Sequence, residues 1–150
     1  MRRNRILYAL GISAFIIILG YALFRELDRN QAQISNSISG VITATPAAGA
    51  GIVKTDNAYL LLFEPGSSYP VATKVINPFL PPTTFFIGQE DASKPLKGPF
   101  RLLILSDKDG NPDNPARGEV IGALTPPLEL GTEAFEYLLD RPFRGYPKEL

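Results

Sequence analysis

Oxygen-bearing side chains recur at alternate positions in Asp107-Lys108-Asp109-Gly110-Asn111-Pro112-Asp113. Asp107, Asp109, Asn111 and Asp113 present the hard ligands that calcium prefers, and a calcium ion gathers several such oxygens at about 2.3–2.6 Å. An EF-hand loop carries Gly at its sixth position and Glu at its twelfth. Counted from Asp107, Gly110 is fourth and Gly118 stands where the Glu belongs. The same residues also read as a hairpin connection whose Asp-Gly pair supplies the left-handed turn residue. Composition leaves both readings open.

Little other site chemistry is available. The chain has no cysteine and no histidine, and its one methionine is Met1. A thiolate nucleophile and an imidazole base are therefore absent. Cys/His zinc sites and His/Cys copper centres fall away with them, as does haem ligation by His, Cys or Met apart from Met1 itself. Ser67-Ser68 and Thr83-Thr84 have no partner base, and no Ser-x-x-Lys motif occurs. Glu90 and Asp91 are neighbours in sequence, so an extended backbone sends them to opposite faces. The expectation is a protein that is not an enzyme and holds no cofactor. Fifteen basic residues balance fifteen acidic ones, so no basic field exists to attract nucleic acid.

The elements that position these residues begin with an uncharged run of nineteen residues, Ile6 to Phe24, behind the basic leader Met1-Arg2-Arg3-Asn4-Arg5. As a helix it matches the hydrocarbon core of a bilayer, ~30 Å. It is longer than the apolar core of a cleaved signal peptide and ends in Tyr21-Ala22-Leu23-Phe24, without a small-residue cleavage pattern. The reading is a retained single-pass anchor over 6–24, with leader 1–5 in the cytoplasm by the positive-inside rule and the remainder periplasmic. Ala9, Ser13 and Gly20 fall near one helix face, where small residues admit a second helix.

Residues 25–37 read as a polar juxtamembrane stalk whose first half extends the helix. Asn36 and Ser37 end it. From residue 38 the pattern becomes short apolar runs bounded by turn residues. Strands are expected near 38–45, 58–63, 70–77, 83–87, 100–106 and 118–124. Segment 132–140 fits a short helix capped by Thr132, or a strand alternating through Phe135, Tyr137 and Leu139. The expected fold is all-β, a small antiparallel sandwich of six to seven strands over 38–140. Tyr59–Phe63 and Leu102–Leu105 are continuous apolar runs, which belong to strands covered on both faces. One cover is a facing sheet; the other is a loop or a partner.

Two segments put aromatic residues beside prolines: Phe79-Leu80-Pro81-Pro82, and Arg141-Pro142-Phe143-Arg144-Gly145-Tyr146-Pro147 within a tail, 141–150, expected to lack regular structure. Such stiff segments lose little entropy on docking, and Arg and aromatics concentrate at interface centres. Either these side chains cap the domain's own core, or they meet a partner. The partner-contact expectation comprises Ala9, Ser13, Gly20, Phe79, Arg141, Phe143, Arg144 and Tyr146.

Ser39-Gly40-Val41-Ile42-Thr43, Pro46, Asp56, Leu62-Phe63 and Pro70-Val71-Ala72 follow one another in a familiar order. So do Ser106, Gly110-Asn111, Pro115, Gly118-Glu119-Val120-Ile121-Gly122, Leu130-Gly131, Phe135, Tyr137 and Leu139-Asp140. The chain here resembles the C-terminal periplasmic domain of the cytochrome c biogenesis accessory proteins of CycH type. The resemblance implies a strand at 134–139 and a membrane-bound role near cytochromes. The tetratricopeptide array of that family is missing, and Ile87–Ala92 lacks its methionine. The functional expectation is an accessory subunit on the periplasmic face of a respiratory or photosynthetic electron-transfer complex. Its partners would be integral membrane subunits, a c-type cytochrome among the candidates, and the lipid bilayer. A cytochrome c maturation factor that handles apocytochrome or haem transiently is the alternative, and a calcium or small-ligand binding module is a third reading.

Overall fold

The structure, a computed structural model, describes residues 18–29, 31 and 35–148. Two compact units emerge, Met1–Gln33 and Ile34–Leu150. In the first, helix α1 covers residues 18–29, and all of its residues are exposed. Ile18, Leu19, Tyr21, Leu23, Phe24 and Leu27 are its large apolar residues. At about 100° per residue they are spread around the whole helix. Arg25 sits over the Tyr21 ring, 5.7 Å from its centroid, where the uncharged run gives way to polar residues. No described helix is long and apolar enough to cross a membrane. Residues 6–17 of the expected span, with Ala9 and Ser13, lie outside the described residues.

The second unit is built on seven strands: β1 (Ser37–Ala44), β2 (Asn57–Phe63), β3 (Pro70–Ile76), β4 (Thr83–Gly88), β5 (Arg101–Asp107), β6 (Val120–Gly122) and β7 (Phe135–Pro142). A one-turn helix, α2 (Pro46–Gly49), starts at Thr45, whose Oγ1 accepts from the Ala48 N–H, with Pro46 at the first helical position. The all-β expectation holds, with two corrections. The strands form one sheet in the order β3-β2-β5-β6-β7-β1-β4, and the β1–β7 pair is parallel. The final strand returns to lie between β6 and β1, a long-range pairing that local sequence does not encode. Within segment 132–140 the strand alternative holds from Phe135 onward, and β7 runs through Arg141 and Pro142, past the limit expected for regular structure.

The sheet curls almost into a barrel. Its edge strands β3 and β4 approach through one side chain: Lys74 Nζ lies 3.3 Å from the centroid of the Phe86 ring and 3.4 Å from Asp91. An antiparallel Ala72–Ala92 bridge adds to the closure. Such covering shields strand edges that would otherwise template aggregation.

Period-two alternation sorts the side chains. Ile38, Ile42, Leu60, Leu62, Phe85, Ile87, Leu102, Ile104, Tyr137 and Leu139 fill the interior, with Phe79 and Phe100 at 0% exposure. The opposite faces of β2 and β5 carry Leu61, Phe63, Leu103 and Leu105, which with Ile121 and Phe143 make a second core. The second cover of the continuous apolar strands is thus the chain's own tail. Gly40 is required where β1 meets β7, because a Cβ there would collide with the Phe135 carbonyl.

Strand β6 is too short to cover β5, with Leu105–Ile121 as their registered pair. Side chains complete the ladder instead. The Leu102 N–H donates to Thr125 Oγ1 at 2.8 Å, and the Ile104 N–H donates to Tyr137 Oη at 2.9 Å. Tyr137 Oη in turn donates to the Ala123 carbonyl at 2.9 Å, and the Val120 N–H donates to Ser106 Oγ at 2.9 Å. Removing the Tyr137 hydroxyl strands a buried donor. Tyr137→Phe should lower the unfolding free energy by about 1–3 kcal/mol with an unchanged urea m-value. Phe143→Ala should cost about 3–5 kcal/mol in the same assay, while Arg144→Ala, an exposed position, should stay within about 0.5 kcal/mol of the parent.

Candidate functional site

The chemistry-bearing residues gather where β5 ends. Asp107 is the last residue of that strand and is completely buried. Its Oδ2 accepts from the Gly110 N–H at 2.8 Å and from Asn57 Nδ2 at 3.1 Å. Its Oδ1 is buried without a hydrogen-bond partner. Gly110 has φ of +80°, the left-handed turn that the Asp-Gly pair implied. Asp109 is exposed and accepts from the Asn111 N–H at 3.0 Å. Glu119, 1% exposed, stands just before β6. Its Oε1 accepts from the Lys108 N–H at 2.8 Å and its Oε2 from the Ala116 N–H at 2.7 Å.

Oxygens of Asp107, Asp109 and Glu119 lie within 4.8 Å of one another. Lys108 does not spend its charge on them. Its ammonium donates to Asp56 Oδ2 and to the Gly51 carbonyl, both at 2.7 Å. Asp56, 3% exposed, also accepts from the Val53 N–H, so this ion pair ties the β5–β6 loop to the turn before β2.

Beside this loop runs a groove of about 540 Å³, whose walls include Tyr59, Leu61, Phe63, Tyr69, Tyr146 and Pro147. Tyr69 stands 81% exposed. Tyr146 meets Phe143 edge-to-face at 5.4 Å and donates its hydroxyl to the Pro112 carbonyl at 3.0 Å. Burial, then the charges of Asp113 and Asp107, push the Tyr146 phenol up to about 12. Burial and Asp107 raise Tyr59 as well.

Of the residues expected from sequence to meet a partner, Phe79 and Phe143 are corrected. Phe79 packs into the interior core and Phe143 covers the outer apolar face of β2 and β5, because a large apolar ring gains more by leaving water there than by staying exposed. Arg141 is exposed at the end of β7 and donates to the Gly122 carbonyl at 2.9 Å. Arg144 is exposed and Tyr146 half-buried in the groove wall. Gly20 faces open space. Of the expected calcium ligands, Asp107 and Asp109 converge. Asp113 is exposed, outside that carboxylate cluster, and Asn111 enters through its backbone N–H. Sequence reading overlooked Glu119, one residue beyond the twelfth loop position. No family model, no curated protein and no solved structure matches the chain.

A raised phenol is neutral in the folded state and ionises more readily when unfolded, near pH 10. Its contribution to stability is therefore complete below pH ~10 and is lost as pH climbs toward about 12. Phenolate absorbance should show a class of tyrosine titrating near pH 12 that Tyr146→Phe diminishes.

Proposed function

We propose that this chain is a membrane-tethered, non-catalytic accessory subunit. Its β-domain docks on the periplasmic face of an electron-transfer complex. The observation that carries the tether is the uncharged run Ile6–Phe24, whose described end continues as a helix with apolar side chains exposed all round. A helix apolar on every side needs lipid or other helices around it. The absence of His and Cys supports a role in binding rather than catalysis. The tyrosine-lined groove and the exposed Arg141 and Arg144 beside it in sequence supply a surface of interface composition. The choice of an electron-transfer complex rests on the resemblance to the cytochrome biogenesis domain.

The protein is expected to stay with membranes through a high-salt or alkaline-carbonate wash and to leave them with detergent. In mild detergent it should run in a large particle together with a cytochrome. Recovery in the salt-washed soluble fraction would remove the tether, and migration alone near 16.4 kDa would remove the partner. Deletion that abolishes every c-type cytochrome would favour a maturation factor over a subunit of one complex.

A further inference from the structure

We propose that Asp107, Asp109 and Glu119 form a calcium site at the root of the β5–β6 loop. Two independent observations meet there. The first is geometric: three carboxylates from a thirteen-residue stretch present oxygens within 4.8 Å of one another. Oxygens that share one ion at about 2.4 Å can be no more than about 4.8 Å apart, so the cluster has the dimensions of one coordination shell. The second is an orphaned atom. Asp107 is fully buried, Oδ2 takes two hydrogen bonds, and Oδ1 takes none. An unsatisfied carboxylate oxygen in a buried site is costly unless something positive meets it.

The surroundings favour a cation over an internal partner. Lys108 stands between two of the ligands in sequence, yet its ammonium is committed to Asp56 and Gly51. Three like charges held this close repel one another. Each is also held in place by a backbone N–H: Gly110 for Asp107, Asn111 for Asp109, and Lys108 and Ala116 for Glu119. These bonds leave further lone pairs on the oxygens. Asp109 is exposed, so the site has a solvent side from which an ion enters and on which waters complete its shell.

The ligand set selects the ion. It is all oxygen, which disfavours zinc and copper. It is carried on an irregular loop, which suits the flexible coordination of calcium better than the strict octahedron of magnesium. Bound calcium would fasten the loop that bears Pro112 and Asp113, one wall of the tyrosine groove.

The test is calorimetric titration of the full-length chain in detergent with calcium chloride. One site per chain is expected, with Kd on the order of 10⁻⁴–10⁻³ M, as for extracellular calcium modules. Calcium should also raise the thermal midpoint. Asp109→Asn, at an exposed position, and Glu119→Gln should each weaken binding at least about tenfold. Asp113→Asn should bind like the parent, which separates this site from a ligand set running on to Asp113. Absence of saturable binding up to about 10 mM, well past the weakest affinity expected, would overturn the proposal. So would unchanged affinity in both the Asp109 and Glu119 variants, or magnesium binding as tightly as calcium.

Discussion

Strand β5 is buried on both faces, and the rest of the domain is arranged around that constraint. Leu102 and Ile104 point into the barrel-like interior, while Leu103 and Leu105 point the other way, and all four are at 0% exposure. A strand with two apolar faces must find two covers. The curled sheet provides one. The other is assembled from Tyr59, Leu61 and Phe63 of β2, Ile121 of β6, and Phe143 and Tyr146 of the tail. The tail is therefore part of the domain's hydrophobic core, and its aromatic residues are largely committed to it.

Burial also dictates how the backbone of β5 is satisfied. One neighbour, β2, pairs along the whole strand from Asn57–Asp107 to Phe63–Arg101. The other neighbour, β6, is three residues long. Buried N–H groups cannot be left without partners, so Thr125 and Tyr137 reach in to accept from Leu102 and Ile104. Tyr137 does this from β7, which makes the same side chain a core filler, a ladder partner and a link to the Ala123 carbonyl. The strand's burial continues to its last residue. That is how a carboxylate, Asp107, comes to lie in the interior beside two others, at the foot of a loop that also walls the tyrosine groove.

Much of this was legible along the chain. Each expected strand from 38–45 to 100–106 is present within two residues of its observed ends, because apolar runs bounded by Gly, Pro, Asn and Asp report local backbone preference directly. The doubly covered nature of β2 and β5 was legible too, since neither run alternates with polar residues. Strand β6 is shorter than its apolar run suggests, because pairing rather than hydrophobicity ends it. Phe79 and Phe143 looked like docking residues because proline and aromatic neighbours have the same composition at an interface and at a folded-back cap. Glu119 was invisible as a ligand because the spacing of a familiar loop pointed to Gly118.

The sequence by itself determined the local facts: an uncharged N-terminal run, short strands, and a chain without histidine or cysteine. Each depends on residue type and near neighbours. Only the tertiary structure decided which strands lie side by side, that β1 and β7 run parallel, that the tail closes a second core, and that Glu119 joins Asp107 and Asp109. Those outcomes come from contacts between residues far apart in the chain, where the free energy of burying apolar surface and pairing backbone groups outweighs any local preference.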